Sequence, residues 1–171
     1  MPFHIVVDGY NVIGSEKGLR GDLEQKRNDL VREVMLYQER VGHTLTTVFD
    51  GWRAGRKNET REQVGEVTVV FSRFGEKADA VIERLAGDIG PTCIVVTSDR
   101  DLRRSVESTG AVAVYVGEFL AKMRKPSIEP DEEDEPGEPG TPPRGMDGRK
   151  KGNPRRLSKA ERIRRERLAK L

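Results

Sequence analysis

The sequence predicts a three-layer α/β domain built on a mostly parallel sheet of about five strands. Two observations carry that expectation. Short, unbroken, β-branched apolar runs recur at Ile5 to Val7, Leu45 to Phe49, Val67 to Phe71, Cys93 to Val96 and Val112 to Val116. Strands apolar on both faces belong to sheets covered on both sides. Stretches of helical periodicity stand between several of these runs, and such alternation builds βαβ units.

After the first run, Leu23, Leu30, Val34, Tyr37 and Val41 recur at helical spacing, with Asp22 and Gln25 placed as a capping box and Gly42 as the stop. Ala78, Val81, Ile82, Leu85 and Ala86 predict a second helix, and Leu102 to Val106 a short third. The stretch from Gly51 to Gly65 is polar and contains Trp52, Arg53, Arg56, Lys57 and Arg61, which reads as a long basic loop.

The chain divides into residues 1–125 as the domain, 126–143 as a linker and 144–171 as a tail. Lys plus Arg against Asp plus Glu stands at 19 to 19, 0 to 7 and 12 to 3 in the three segments. A near-neutral total therefore hides an acidic segment beside a basic one. The linker, with Asp131 to Glu135 amid prolines and glycines, has almost nothing to bury and is expected to be disordered. In the tail, Ser158 and Glu161 offer a capping box for a helix to about Leu171, with Arg164 falling on its apolar face.

Several classes drop out. No apolar stretch approaches the about 20 residues that span a bilayer, and no secretory leader pattern opens the chain, so a cytoplasmic protein without a membrane partner is expected. The glycines between Gly9 and Gly14 do not form a dinucleotide fingerprint, and no phosphate-cradling GxxxxGK[ST] loop occurs. His4 and His43 lack companions at ligand spacing, the lone Cys93 sits in an apolar strand, and no nucleophile–histidine motif is evident.

What remains is carboxylate chemistry. Asp8 follows a buried strand, Asp50 follows the next, and Asp99 and Asp101 follow Val95-Val96-Thr97-Ser98. Parallel strands gather such positions at one edge, where α/β sheets bind ligands. Asp79, in the first turn of the second helix, faces the same edge if the crossover is right-handed. Clustered acids repel and call for a hard cation such as Mg²⁺ or Mn²⁺. Each acid also has a plain alternative: Asp79 and Asp99 as helix-start residues, Asp50-Gly51 as a turn, Asp101 as a solvated cap.

The segments Ile5 to Gly14 (with Asp8-Gly9-Tyr10-Asn11), Val48 to Gly51, Val69 to Ser72 with Glu76 to Asp79, and Val96 to Asp101 resemble the NYN-domain family of the PIN-like nuclease superfamily, in its bacterial YacP-like endoribonuclease branch. The resemblance covers about the first 120 residues and implies a Rossmann-like PIN/NYN fold. It implies Asp8, Asp79 and Asp99 as metal-holding acids, with Asp101 as a weaker transfer; Asp50 stands as a weaker metal candidate on its position at the sheet edge. Asn11 would position metal or phosphate. The implied reaction is Mg²⁺- or Mn²⁺-assisted hydrolysis of RNA. Where the family pattern often has Glu-Thr-Ala-Asp, this chain has Glu76-Lys77-Ala78-Asp79, so a hydroxyl beside the site becomes a lysine.

RNA contacts are expected from Trp52, Arg53, Arg56, Lys57 and Arg61, from Arg100, and from the tail residues Arg155, Arg156, Arg162, Arg164 and Arg165, with a ribosomal RNA surface as one partner. Two rival readings stand beside the nuclease. One is a non-catalytic RNA- or ribosome-binding module. The other is a phosphatase of similar architecture, against which the Asp-x-Asp nucleophile pattern is missing at Asp8-Gly9-Tyr10.

Overall fold

The computed structural model describes residues 2–125 and 157–171. The expected linker and the candidate contacts Arg155 and Arg156 lie outside the described residues. Six strands form one sheet: β1 (His4–Asp8), β2 (Thr44–Phe49), β3 (Thr60–Val64), β4 (Val67–Phe71), β5 (Cys93–Val96) and β6 (Val112–Val114). Their order is β3-β4-β2-β1-β5-β6, and every neighbouring pair is parallel except β3 with β4. The helices are α1 (Gly9–Glu16), α2 (Leu23–Val41), α3 (Ala78–Ile89), α4 (Arg100–Ser108), α5 (Val116–Met123) and α6 (Lys159–Ala169).

Strand alternation sorts the core into two layers. Ile5, Val7, Leu45, Phe49, Val69, Phe71 and Ile94 pack with α1, α2 and α5. Their strand neighbours Val6, Val48, Val70, Cys93 and Val95 pack with α3 and α4 on the other face. The sheet thus needs apolar residues at successive positions, which is why its strands read as continuous runs. From β1 the chain steps outward to β2 and then β4, and later returns on the other side of β1 as β5 and β6. This reversal makes the C-terminal ends of β1 and β5 a topological switch point.

Local signals account for many boundaries. Asp22 Oδ1 accepts from Gln25 N at 3.0 Å to start α2, and Gly42, at φ 69°, ends it. The box there is only half made, because the Gln25 side chain donates instead to Asp29. Ser158 and Glu161 form both halves of theirs, at 3.2 and 2.9 Å.

The structure corrects the expected long loop at 51–65. A 3-10 turn occupies Gly51–Ala54, and Thr60–Val64 forms β3, paired with β4 through a two-residue turn at Gly65-Glu66. Gly65 supplies the positive φ, 58°, that such a turn needs. β3 is polar and mostly exposed, so it carries none of the apolar alternation that marks a strand. A further correction concerns the run Val112 to Val116, whose strand stops at Val114 because Val116 already opens α5, while Gly9 begins α1 directly after β1. A Cβ on Gly9 would overlap the Phe49 ring, so close approach accounts for the glycine.

The tail helix α6 is docked, not free. Leu168 and Leu171 pack against the α2 and α5 core, and Tyr37 Oη donates to Leu171 O at 2.7 Å. His43 pairs with Lys170 O at 3.2 Å, and the Arg167 guanidinium lies 4.7 Å from the Phe3 ring centre. Leu168→Ala should therefore cost about 1–2 kcal/mol and lower the melting temperature by several degrees. A melt identical to the parent's would mean that this docking contributes no stability.

Candidate active site

Asp8 ends β1 at the switch point and is only 6% exposed. Thr97, just past β5, donates its hydroxyl to Asp8 Oδ2 at 3.0 Å, and Thr97 Oγ1 in turn accepts from Asp99 N at 3.2 Å. Thr97 is itself held from behind: the buried Arg103 donates to Thr97 O at 3.2 Å and to Ala113 O at 3.3 Å. Asn11, in the first turn of α1, accepts from Ser98 N at 2.8 Å through its side-chain oxygen. Those contacts fasten the ends of β1 and β5 together.

Burial pushes the Asp8 carboxyl up to about 7; Thr97 and the Asn11 backbone oppose the shift, and the charges of Asp79 and Asp50 add to it. Asp79, in the first turn of α3, is likewise raised by burial, with Asp99 and Asp50 adding to the effect and Lys77 opposing it. Asp8 thus feels Asp79 and Asp50, and Asp79 feels Asp99 and Asp50.

Two acids also do the plain structural jobs. Asp99 Oδ1 accepts from Asp101 N and Leu102 N, at 2.8 and 3.0 Å, and so caps α4. Asp50 Oδ1 accepts from Ala78 N at 2.7 Å, tying the end of β2 to the start of α3 and fixing Asp79 in place. A capping bond does not preclude a functional role, since a helix start is where both an anion and a ligand are wanted.

Among the described residues, no three His, Cys, Asp or Glu side chains stand close enough to cage a metal ion by themselves. The donor chemistry nevertheless fits a hard divalent cation. Mg²⁺ commonly takes only one or two carboxylates and keeps several waters, and a buried acid under repulsion from its neighbours gains from such a charge. Cys93 fits no such role, because burial pushes its thiol up to about 12. His4 bonds Thr46 Oγ1 at 2.8 Å and His43 accepts from Phe3 N at 3.3 Å, both structural contacts.

The expected RNA contacts fall into two groups. Trp52 is 53% exposed, so it is not tucked into the core. The Arg53 guanidinium stacks 4.6 Å from its ring centre and 5.7 Å from that of Tyr10. Lys57, Arg100, Arg162 and Arg165 are exposed. Arg56 pairs with Glu62 at 2.7 Å and Arg61 with Glu59 at 3.3 Å, both at the surface. Arg164 lies over the Tyr115 ring at 5.1 Å and 3.7 Å from Glu118, so its cation is taken up in docking α6. The sequence reading missed Thr97, Ser98 and Arg103 as supports of the site. The Thr-Ser between β5 and Asp99 was the available signal, while the long-range reach of Arg103 left none.

No helix among the described residues is long and apolar enough to cross a membrane. No curated protein matches the chain significantly. Rae1 (YacP) from Bacillus subtilis is similar in structure. Its wild-type crystal structure aligns at 28% identity and TM-score 0.59, covering 72% of this chain and 74% of that one. A single-site mutant of the same protein aligns at 27% and 0.60, covering 72% and 75%. The family model described as the YacP-like NYN domain matches residues 5–167, from β1 into the docked α6, and the chain belongs to that family.

Proposed function

We propose that the protein is a metal-dependent endoribonuclease that hydrolyses RNA phosphodiester bonds at the Asp8, Asp79 and Asp99 crevice. Family membership carries a nuclease-type, RNA-directed function. The observation that most supports a catalytic site is the buried Asp8 carboxyl, raised to about 7 among neighbouring acids at the switch point. Asp8, Asp79 and Asp99 would hold Mg²⁺ or Mn²⁺ in part through the ion's bound waters, with Asp50 at the same sheet edge and bonded to α3.

A divalent ion bound there supplies charge neutralisation and lowers the pKa of a bound water. The chain's own residues set the stage. Thr97 fixes the rotamer of Asp8, and Asp50 fixes the start of α3, so the carboxylates are preorganised. The Asn11 side-chain oxygen is spent on Ser98, which leaves its amide nitrogen to meet a phosphate oxygen. Exposed Arg100 and Lys57 offer cations around an acidic crevice that alone would repel RNA.

The test is cleavage of cellular RNA, including a ribosome-associated pool, by the parent and by Asp79→Asn and Asp99→Asn, with Mn²⁺, Mg²⁺ or EDTA. Asn keeps the capping capacity at position 99 while removing charge. Metal-dependent cutting by the parent, with each variant reduced about 10²- to 10³-fold, is expected. RNA binding that ignores both metal and substitution, with no cutting, would instead establish a binding module.

A further inference from the structure

Nine aromatic side chains occur in the chain, and three of them are exposed: Trp52 at 53%, Phe74 at 74% and Tyr115 at 42%. All three stand just past the C-terminal ends of parallel strands, after β2, β4 and β6, at the edge that carries the acids. Tyr115 already carries two guanidiniums, Arg103 at 3.7 Å and Arg164 at 5.1 Å from its ring centre, and Trp52 carries one, Arg53 at 4.6 Å. Phe74 has no such cover, and among the described residues no ring or cation stacks on it.

Its loop is nonetheless firmly built. Ser72 Oγ accepts from Gly51 N at 3.1 Å and donates to Glu76 O at 2.8 Å. Phe74 N donates to Lys57 O at 3.0 Å, and Glu76 N to Arg73 O at 3.1 Å. The Glu76 carboxylate takes Arg84 at 2.9 Å and Arg73 at 3.5 Å. The loop bearing Phe74 is thereby zipped to the one bearing Trp52, and the same pair of loops carries Asp50 and leads into Asp79. A phenyl ring held out on a braced backbone loses little ordering entropy when something stacks on it.

The surroundings select the occupant. Phe74 is flanked by exposed Arg73 and Lys77, with exposed Lys57 across the loop contact, so it belongs to no continuous apolar patch. An isolated ring among cations suits an unpaired base with its phosphate, whereas a protein partner would want a larger apolar area. We infer that Phe74, together with Trp52, forms a stacking platform for unpaired nucleobases beside the carboxylate crevice, which directs the site to single-stranded RNA. The inference rests on the RNA-directed reading above.

The experiment uses the full chain carrying Asp8→Asn to prevent cutting, in Mg²⁺, with a labelled single-stranded oligoribonucleotide. An abasic strand of equal length and a perfect duplex are titrated alongside, read by anisotropy. Trp52, the sole tryptophan, gives a second readout through its emission. Phe74→Ala should weaken single-strand binding about five- to hundredfold, Phe74→Tyr should restore it, and Phe74→Leu should not. The abasic strand should bind all variants alike and leave Trp52 emission unquenched.

Equal affinity of the parent and Phe74→Ala for the base-bearing strand overturns the platform while leaving RNA binding intact. Parallel loss on the abasic strand also overturns it, by assigning Phe74 to loop scaffolding. Failure of both the Asp8→Asn protein and the unsubstituted chain to bind any strand removes the RNA-directed reading with it.

Discussion

Asp8→Asn is expected to abolish cleavage and, at the same time, to stabilise the metal-free protein. The Asp8 carboxyl titrates at 3.8 when exposed and at about 7 when folded. Between those values the folded state holds the proton more tightly than the unfolded chain does. Its contribution to stability is fully present below pH 3.8 and is lost as pH rises through 7. Asparagine keeps an acceptor for Thr97 and has no charge to bury, so the variant should be roughly 2–4 kcal/mol more stable than the parent at pH 8.

The gap should close as pH falls toward 4. Added Mn²⁺ should raise the melting point of the parent and leave the variant nearly unmoved, because only a site that binds in the folded state shifts that equilibrium. Thermal melts across this pH range, with and without the ion, check all of this. A parent and variant separated equally at pH 4.5 and pH 8 would show that Asp8 is not buried as a charge.

Gly51→Ala is expected to be the most damaging added methyl among the described glycines. The added Cβ would overlap the Ser72 carbonyl oxygen, a backbone atom with no rotamer to turn away. Gly51 N also donates to Ser72 Oγ at 3.1 Å, so relief by separating the two loops breaks that bond. A cost above about 3 kcal/mol follows from overpacking a backbone contact, readable as a lower urea midpoint. Activity should fall further than the unfolded fraction accounts for, since Asp50 immediately precedes the displaced residue and anchors α3. A midpoint within error of the parent would mean the β2 and β4 ends part easily.

These two positions illustrate what the sequence made legible. Asp8 announced itself, because a charge directly after three apolar β-branched residues has few reasons to be there. The parallel core strands were legible for the same reason, as was α2 from its Asp22 cap and Gly42 stop. Gly51 looked like half of a turn, while its constraint is set by Ser72, a contact that no local pattern encodes. β3 was missed because Thr60 to Val64 alternates polar with polar, its existence depending on pairing to β4. α1 was missed because Tyr10, Val12 and Ile13 favour strands locally, and tertiary packing overrides that preference. Phe74 carried no signal at all: exposure of a single ring is a property of the folded surface.

The placement of α6 against β6 bears on how the sheet ends. Its opposite end is β3, guarded by Arg61 and Glu62 on an exposed, polar strand. Terminal strands offer unpaired backbone groups to other molecules, and charge or a covering element prevents it. A tail deletion intended only to strip cations from the protein would also bare Phe3 and Tyr37, which α6 covers. Self-association and poor solubility would then be expected before any change in RNA affinity was measurable. Neutralising Arg162 and Arg165 in place removes the charge and keeps the cover.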